Sequence, residues 1–108
     1  MPKQSKARKE RSLALKITND TYNTVYDRDQ GCALCQTIGI HKDFTKNPIL
    51  ECHHFVPRSR SGMGIEENLV MLCFNHHKEC NKYTDEIEKY FKSKYDDWDK
   101  EMLVWTRF

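Results

Sequence analysis

No run of about 18 consecutive apolar residues occurs in this chain, so nothing in it reads as spanning a bilayer. An apolar leader for secretion is also missing, and the cysteines number five. An odd count without a secretion signal argues against a closed disulfide framework; it predicts reduced thiols, able to hold a metal, in a soluble cytoplasmic protein. The net charge, +2, is too small to name a partner. No internal repeat is visible, and no second domain is expected. The 108 residues fit one small domain whose limited apolar burial makes extra staples useful.

The distribution of charge says more than its sum. Residues 1–20 carry Lys3, Lys6, Arg8, Lys9, Arg11 and Lys16 against Glu10 and Asp20, whereas residues 84–108 carry seven acids and five bases. A basic leading arm gains affinity for a polyanion by displacing counterions from phosphates; a solvated tail is the alternative. Residues 1–11 show no hydrophobic period and are expected to form a flexible arm with no element of its own. Residues 12–108 are expected to be a single domain, with a core motif over about 25–82 and a C-terminal helical segment over 83–108.

Within that domain Leu13, Leu15 and Ile17 alternate with Ser12, Ala14 and Lys16, a period of two that suits a short strand, with an amphipathic helix as the alternative. Asn19 or Asp20 can cap a helix presenting Tyr22, Val25 and Tyr26 on one face and ending at Gly31. Residues 36–48 read as a loop, Ile49–Val56 as a strand stopped by Pro57, and residues 58–64 as a basic, glycine-containing loop. Leu69, Val70, Met71 and Leu72 make a second apolar strand, giving an antiparallel pair. Asn75 and Thr84 are candidate helix caps; Ile87, Tyr90 and Phe91 form one core stripe, and Trp98, Met102 and Trp105 a final packing ridge.

Two motifs carry chemistry. Cys32-x2-Cys35 and Cys73-x2-His76 are a pair of knuckles with the spacing of a tetrahedral zinc site, and thiolate with imidazole suits zinc better than magnesium or calcium. Buried free cysteines are the alternative. On one continuous helix His76 and Cys80 would lie one turn apart, so either can supply the fourth ligand; the repeated two-residue spacing favours His76. Four protein ligands make such a zinc structural.

Between and just beyond the knuckles lie Glu51-Cys52-His53-His54, Asn68, His77 and Asn81, none of which a zinc knuckle needs. On one helix His77 and Asn81 would share a face turned away from His76 and Cys80. Glu51, two residues from His53, sits on the same side of an ideal strand and can accept a hydrogen bond from that imidazole; a solvent-facing carboxylate is the alternative. His53 and His54 point to opposite faces of a regular strand, so they can serve one site only if the strand twists or the site wraps its edge.

From about Val25 to Asn81 the chain resembles the HNH endonuclease family, in its zinc-stapled branch. The resemblance rests on Asp29-Gln30-Gly31-Cys32-Ala33-Leu34-Cys35, Glu51-Cys52-His53-His54-Phe55-Val56-Pro57-Arg58, Asn68-Leu69-Val70-Met71-Leu72-Cys73 and His76-His77, four pieces in the family's order and spacing. It implies a small α+β protein with the ββα-metal fold: an antiparallel hairpin plus a helix, a structural zinc and flanking helices. It implies His54 as the general base that takes a proton from the attacking water, His53, His77 and Asn81 as ligands of a catalytic divalent ion, and Asn68 as the residue that ties down the loop and so aims the base. Asn81 departs from the commoner histidine, and its harder amide oxygen favours magnesium or manganese. His76 stands where a cysteine is usual. Cys52 has no family role and is expected to pack behind the strand; His41 is unassigned.

The function so implied is hydrolysis of DNA phosphodiester bonds with low sequence preference, with Arg58 and Arg60 gripping the phosphate backbone. Small proteins of this kind resemble those encoded by bacteriophages beside their packaging genes, which makes packaging proteins such as terminase candidate partners. An unperturbed imidazole base predicts that activity falls below about pH 6.5. Two rivals exist. A noncatalytic zinc module for nucleic acid or protein explains the knuckles but not His53, His54, Asn68 and His77, and a zinc hydrolase of another substrate class needs an open coordination position that four ligands deny.

Overall fold

The second strand is the axis of the molecule. β2 (Leu69–Cys73) is buried at every position, as its unbroken apolar run implies, and pairs antiparallel with β1 (Leu50–His54), which is half-buried throughout. A computed structural model describes residues 6–40 and 49–106. His41, residues 1–5 and most of the loop expected over 36–48 lie outside the described residues. The register sets Leu50 opposite Cys73, Glu51 opposite Leu72, Cys52 opposite Met71, His53 opposite Val70 and His54 opposite Leu69.

Because side chains alternate across a strand, β2 feeds two cores. Val70 and Leu72 join Ile87, Tyr90, Phe91, Trp98 and Leu103 on one face, while Leu69 and Met71 meet Val25 on the other. Opposed residues share a face, so Glu51 and His53 stand on the Phe91 side and Cys52 and His54 on the Val25 side. Cys52 packs beside Val25, Leu69 and Met71, the core placement expected of it.

Helices wrap this pair, making a small α+β fold. α2 (Asn19–Asp29) is capped by Thr18, whose hydroxyl accepts from Thr21 N at 3.2 Å. It ends on Gln30 in the left-handed conformation (φ 52), followed by Gly31 at φ 122, a value open to glycine without strain. Its buried face is Val25 and Asp29, four residues apart, and Tyr22 and Tyr26, expected on that face, stack on each other at the surface. α3 (Ala33–Thr37) starts from Cys32, whose sulfur accepts the Cys35 N–H.

α4 (Phe74–Lys78) follows β2 without a loop, its N-cap being Cys73 and not Asn75. It stops at Glu79, and Cys80–Tyr83 continue as a 3-10 turn before α5 (Thr84–Lys94), which includes Thr84 as its first residue. The single helix assumed to carry His76 through Asn81 is therefore two pieces. α5 buries Ile87, Tyr90 and Phe91 as its stripe predicts, and Trp98 stacks on Phe91 with centroids 5.4 Å apart. Of the last ridge, Trp98 is buried and Trp105 half-buried, whereas Met102 is exposed and its neighbour Leu103 is buried instead.

The largest departure is at the start. Lys6–Leu15 is a helix, α1, where the sequence suggested a mobile arm followed by a short strand, with a helix over the latter stretch as the alternative. Its last turn sits on the loop after β1: Leu15 is buried, Gly64 N donates to Ala14 O at 2.9 Å, and Arg11 donates from Nε to Ser61 Oγ at 3.2 Å and from Nη2 to Arg58 O at 2.9 Å. Among the described residues no helix is long and apolar enough to cross a membrane.

Candidate functional site

Two clusters of chemistry flank the hairpin. The first joins α3, the end of β2 and α4: one ligand atom from each of Cys32, Cys35, Cys73 and His76 lies within 4.8 Å of the others. His76 Nδ1 is 3.4 Å from Cys32 Sγ, 3.4 Å from Cys35 Sγ and 3.5 Å from Cys73 Sγ, and the Cys35 and Cys73 sulfurs are 3.9 Å apart. Zinc bonds of about 2.3 Å to sulfur and about 2.0 Å to nitrogen at tetrahedral angles require S···N edges of about 3.5 Å and S···S edges of about 3.8 Å. The four side chains thus form a compact group that can hold such an ion. Burial, then the neighbouring thiols, push Cys35 up to about 12; thiols so crowded keep their protons unless a cation displaces them. Cys80, the rival fourth ligand, lies instead on the cleft that holds His53 and His54.

That cleft, of about 500 Å³, is the second cluster. His53 and His54 both line it although they leave β1 on opposite faces, because β1 is an edge strand ending at His54 and the cleft wraps its end. Arg60 and Ser59 form part of one wall, Asn81 and Thr84 part of another. Arg58 is exposed on the same loop, close enough for its charge to help lower the His54 pKa.

The histidine tautomers follow from their partners. His54 Nε2 lies 3.1 Å from Leu15 O, and since a carbonyl only accepts, Nε2 carries the hydrogen and a neutral ring keeps its lone pair on Nδ1. Burial depresses His54 below the ordinary imidazole range, with the Arg58 charge acting the same way and the Leu15 bond opposing. His77 Nδ1 is 3.2 Å from Glu51 Oε1, so this ring donates from Nδ1, and a neutral ring keeps its lone pair on Nε2. Glu51 therefore serves His77 across the hairpin, not its strand neighbour His53. The His53 and His77 rings meet edge to face with centroids 5.0 Å apart. Burial, then the two other histidines, hold His53 down to about 4, so it is neutral and fit to donate electrons at neutral pH. Asn81 sits in the 3-10 turn past α4, on the same cleft as His53. His53, His77 and Asn81 are thus of the type a divalent ion accepts.

Asn68 is fully buried and closes the loop after β1 at both ends. Its Oδ1 accepts from Val56 N at 2.7 Å, and its Nδ2 donates to Val56 O at 3.1 Å and Met63 O at 2.8 Å. This loop carries Arg58 and Arg60 and receives α1.

Sequence reasoning gave no role to the Arg28–Asp29 pair at the end of α2. The guanidinium donates from Nε (2.6 Å) and Nη2 (3.0 Å) to the adjacent carboxylate, from Nη1 to Glu66 O (2.7 Å) and Tyr95 Oη (3.1 Å), and from Nη2 to Leu69 O (2.6 Å). Asp29 also accepts from Met71 N at 2.7 Å and from the Tyr90 hydroxyl. The pair ties α2 to β2 and α5. Its signal was the spacing of Asp29 four residues after Val25, which puts a charge on a buried face. Leu15 and Gly64 were missed as well, and neither carries a local signal.

No family model, no curated protein and no solved structure matches this chain.

Proposed function

We propose that this chain is a metal-dependent endonuclease of the HNH type that hydrolyses DNA phosphodiester bonds, with a structural zinc in the Cys32, Cys35, Cys73 and His76 group. The observation that carries the proposal is the convergence of His53 and His54 from opposite faces of β1 onto one cleft, with His54 tethered through Nε2 so that Nδ1 is the basic nitrogen. The hairpin running directly into α4 also follows the β-β-α order that the resemblance implies.

In this mechanism His54 Nδ1 takes a proton from a water as its oxygen attacks phosphorus, and the 3′ oxygen leaves and is protonated by solvent. Arg60 and Arg58 hold the phosphate in line, and Asn68 keeps their loop fixed relative to the base. A divalent ion held by His53, His77 and Asn81, magnesium or manganese by the hardness of the amide oxygen, would supply neutralisation of charge at the phosphate. Glu51 orients His77 through the Nδ1 bond, the usual second partner of a ligating imidazole.

The test is nicking of a supercoiled plasmid in magnesium, in manganese and in a chelator. His54→Ala is expected to lose about two to four orders of magnitude in rate with folding and zinc content unchanged. A wild-type protein that binds DNA and leaves the plasmid intact in both metals would reduce it to a noncatalytic zinc-stabilised binding module.

A further inference from the structure

We infer that helix α1, seated on Gly64 and latched by Arg11, is the positioning element of His54, setting through the Leu15 carbonyl which of the two ring nitrogens bears the proton. Leu15 is the last residue of α1, where carbonyls have no partner within the helix, so this oxygen is available to an outside donor and receives His54 Nε2 at 3.1 Å. Ala14, one residue earlier, accepts from Gly64 N at 2.9 Å, so adjacent carbonyls of one turn grip the loop and the base together.

The seat admits no side chain. A Cβ on Gly64 would fall 2.1 Å from Lys16 O, 2.6 Å from Lys16 C and 2.9 Å from Leu15 O, so any larger residue must push the end of α1 off the loop. Arg11, one turn back on the same face, latches the helix to that loop through Ser61 and the Arg58 carbonyl. Both contacts fall on the loop that Asn68 closes, so the base, its tether and the phosphate-facing arginines belong to one packed unit. A residue acting in this way touches no substrate; the catalytic consequence rests on the nuclease proposal, whereas the control of the ring does not.

The experiment reads the imidazole nitrogens of the full chain by ¹⁵N NMR at about pH 8, where an ordinary histidine is neutral. Wild-type His54 is expected to be a single Nε2–H tautomer. Gly64→Ala, and more mildly Arg11→Ala, are expected to give a mixture of the two tautomers with metal content unchanged, because the Cys3His group is carried by α3, β2 and α4. In the nicking assay Gly64→Ala is expected to lower kcat by about tenfold to a hundredfold with KM nearly constant, the loss typical of a base displaced by about 1 Å. Retention of the wild-type signature in both variants, or an Nδ1–H wild-type ring, overturns the inference. Since the tautomer is read without substrate, a wild-type protein that cuts nothing removes the nuclease proposal and leaves this one to the NMR result.

Discussion

Replacing Asp29 with asparagine keeps the shape of the side chain and removes its charge. The carboxylate side chain is 0% exposed and that of Arg28 12% exposed, so the substitution leaves a guanidinium shielded from water with no counterion. It also turns one of two acceptor oxygens into a donor, although Oδ1 and Oδ2 together face Arg28 Nε, Arg28 Nη2, Met71 N and the Tyr90 hydroxyl. Removing one partner of a buried, hydrogen-bonded ion pair costs about 3–5 kcal/mol. Against a total of about 5–15 kcal/mol for a domain of this size, that is about a fifth or more of its stability. At about 4 °C or more per kcal/mol, the melting temperature should fall by at least about 12 °C. Urea unfolding followed by circular dichroism at fixed metal concentration measures the loss directly. Arg28→Ala with Asp29→Asn completes a cycle in which the double variant should cost clearly less than the sum, because each single change strands the other's charge. A loss below about 1 kcal/mol for Asp29→Asn, or additive singles, would refute a coupled buried pair.

Three other outcomes are expected. Chelation of the purified protein should lower its melting temperature and release one zinc per chain; Cys73→Ala should abolish that zinc while Cys80→Ala retains it, as read by metal analysis, and equal zinc loss in both would contradict the Cys3His assignment. Asn68→Asp places a carboxylate oxygen against Val56 O and Met63 O in a buried site, so stability should drop by about 1–3 kcal/mol or more. Since the folded state then raises that carboxyl's pKa, the penalty should grow as pH rises from about 4 to 8, and a pH-independent difference would argue against it. A base works only unprotonated, and burial lowers the His54 pKa, so the acid limb of kcat/KM should lie below about 6.5, not at it; a limb at or above that pH would exclude a desolvated His54 as the base.

What the sequence made legible was whatever local pattern dictates. The unbroken run from Leu69 to Cys73 identified a buried strand, and the two-residue spacing of both knuckles identified candidate ligands whose donor atoms all lie within 4.8 Å of one another. Asn68 was singled out by motif, and its three hydrogen bonds close the loop it was expected to tie. The losses were all tertiary. α1 is mostly exposed and polar, so periodicity left strand and helix open over its last turn and showed nothing before it; its stability comes from Gly64, Ser61 and Arg58, some 50 residues away along the chain. Glu51 faces both His53, by strand parity, and His77, by the close approach of α4 to β1, and only packing decides between them. The break at Glu79 separated His76 from Cys80 and removed an ambiguity that an ideal helix had created.

The Cys32, Cys35, Cys73 and His76 group takes two of its members from each of two distant stretches of chain. During synthesis on the ribosome, therefore, no fragment ending before residue 76 contains the full coordination set, and both strands of the hairpin have been made by the time it is complete. Capture of a metal by this group would in this way be tied to closure of the hairpin. A prematurely terminated product lacks the means to lock itself shut and presents loose thiols, the mark by which defective copies would differ chemically from finished ones.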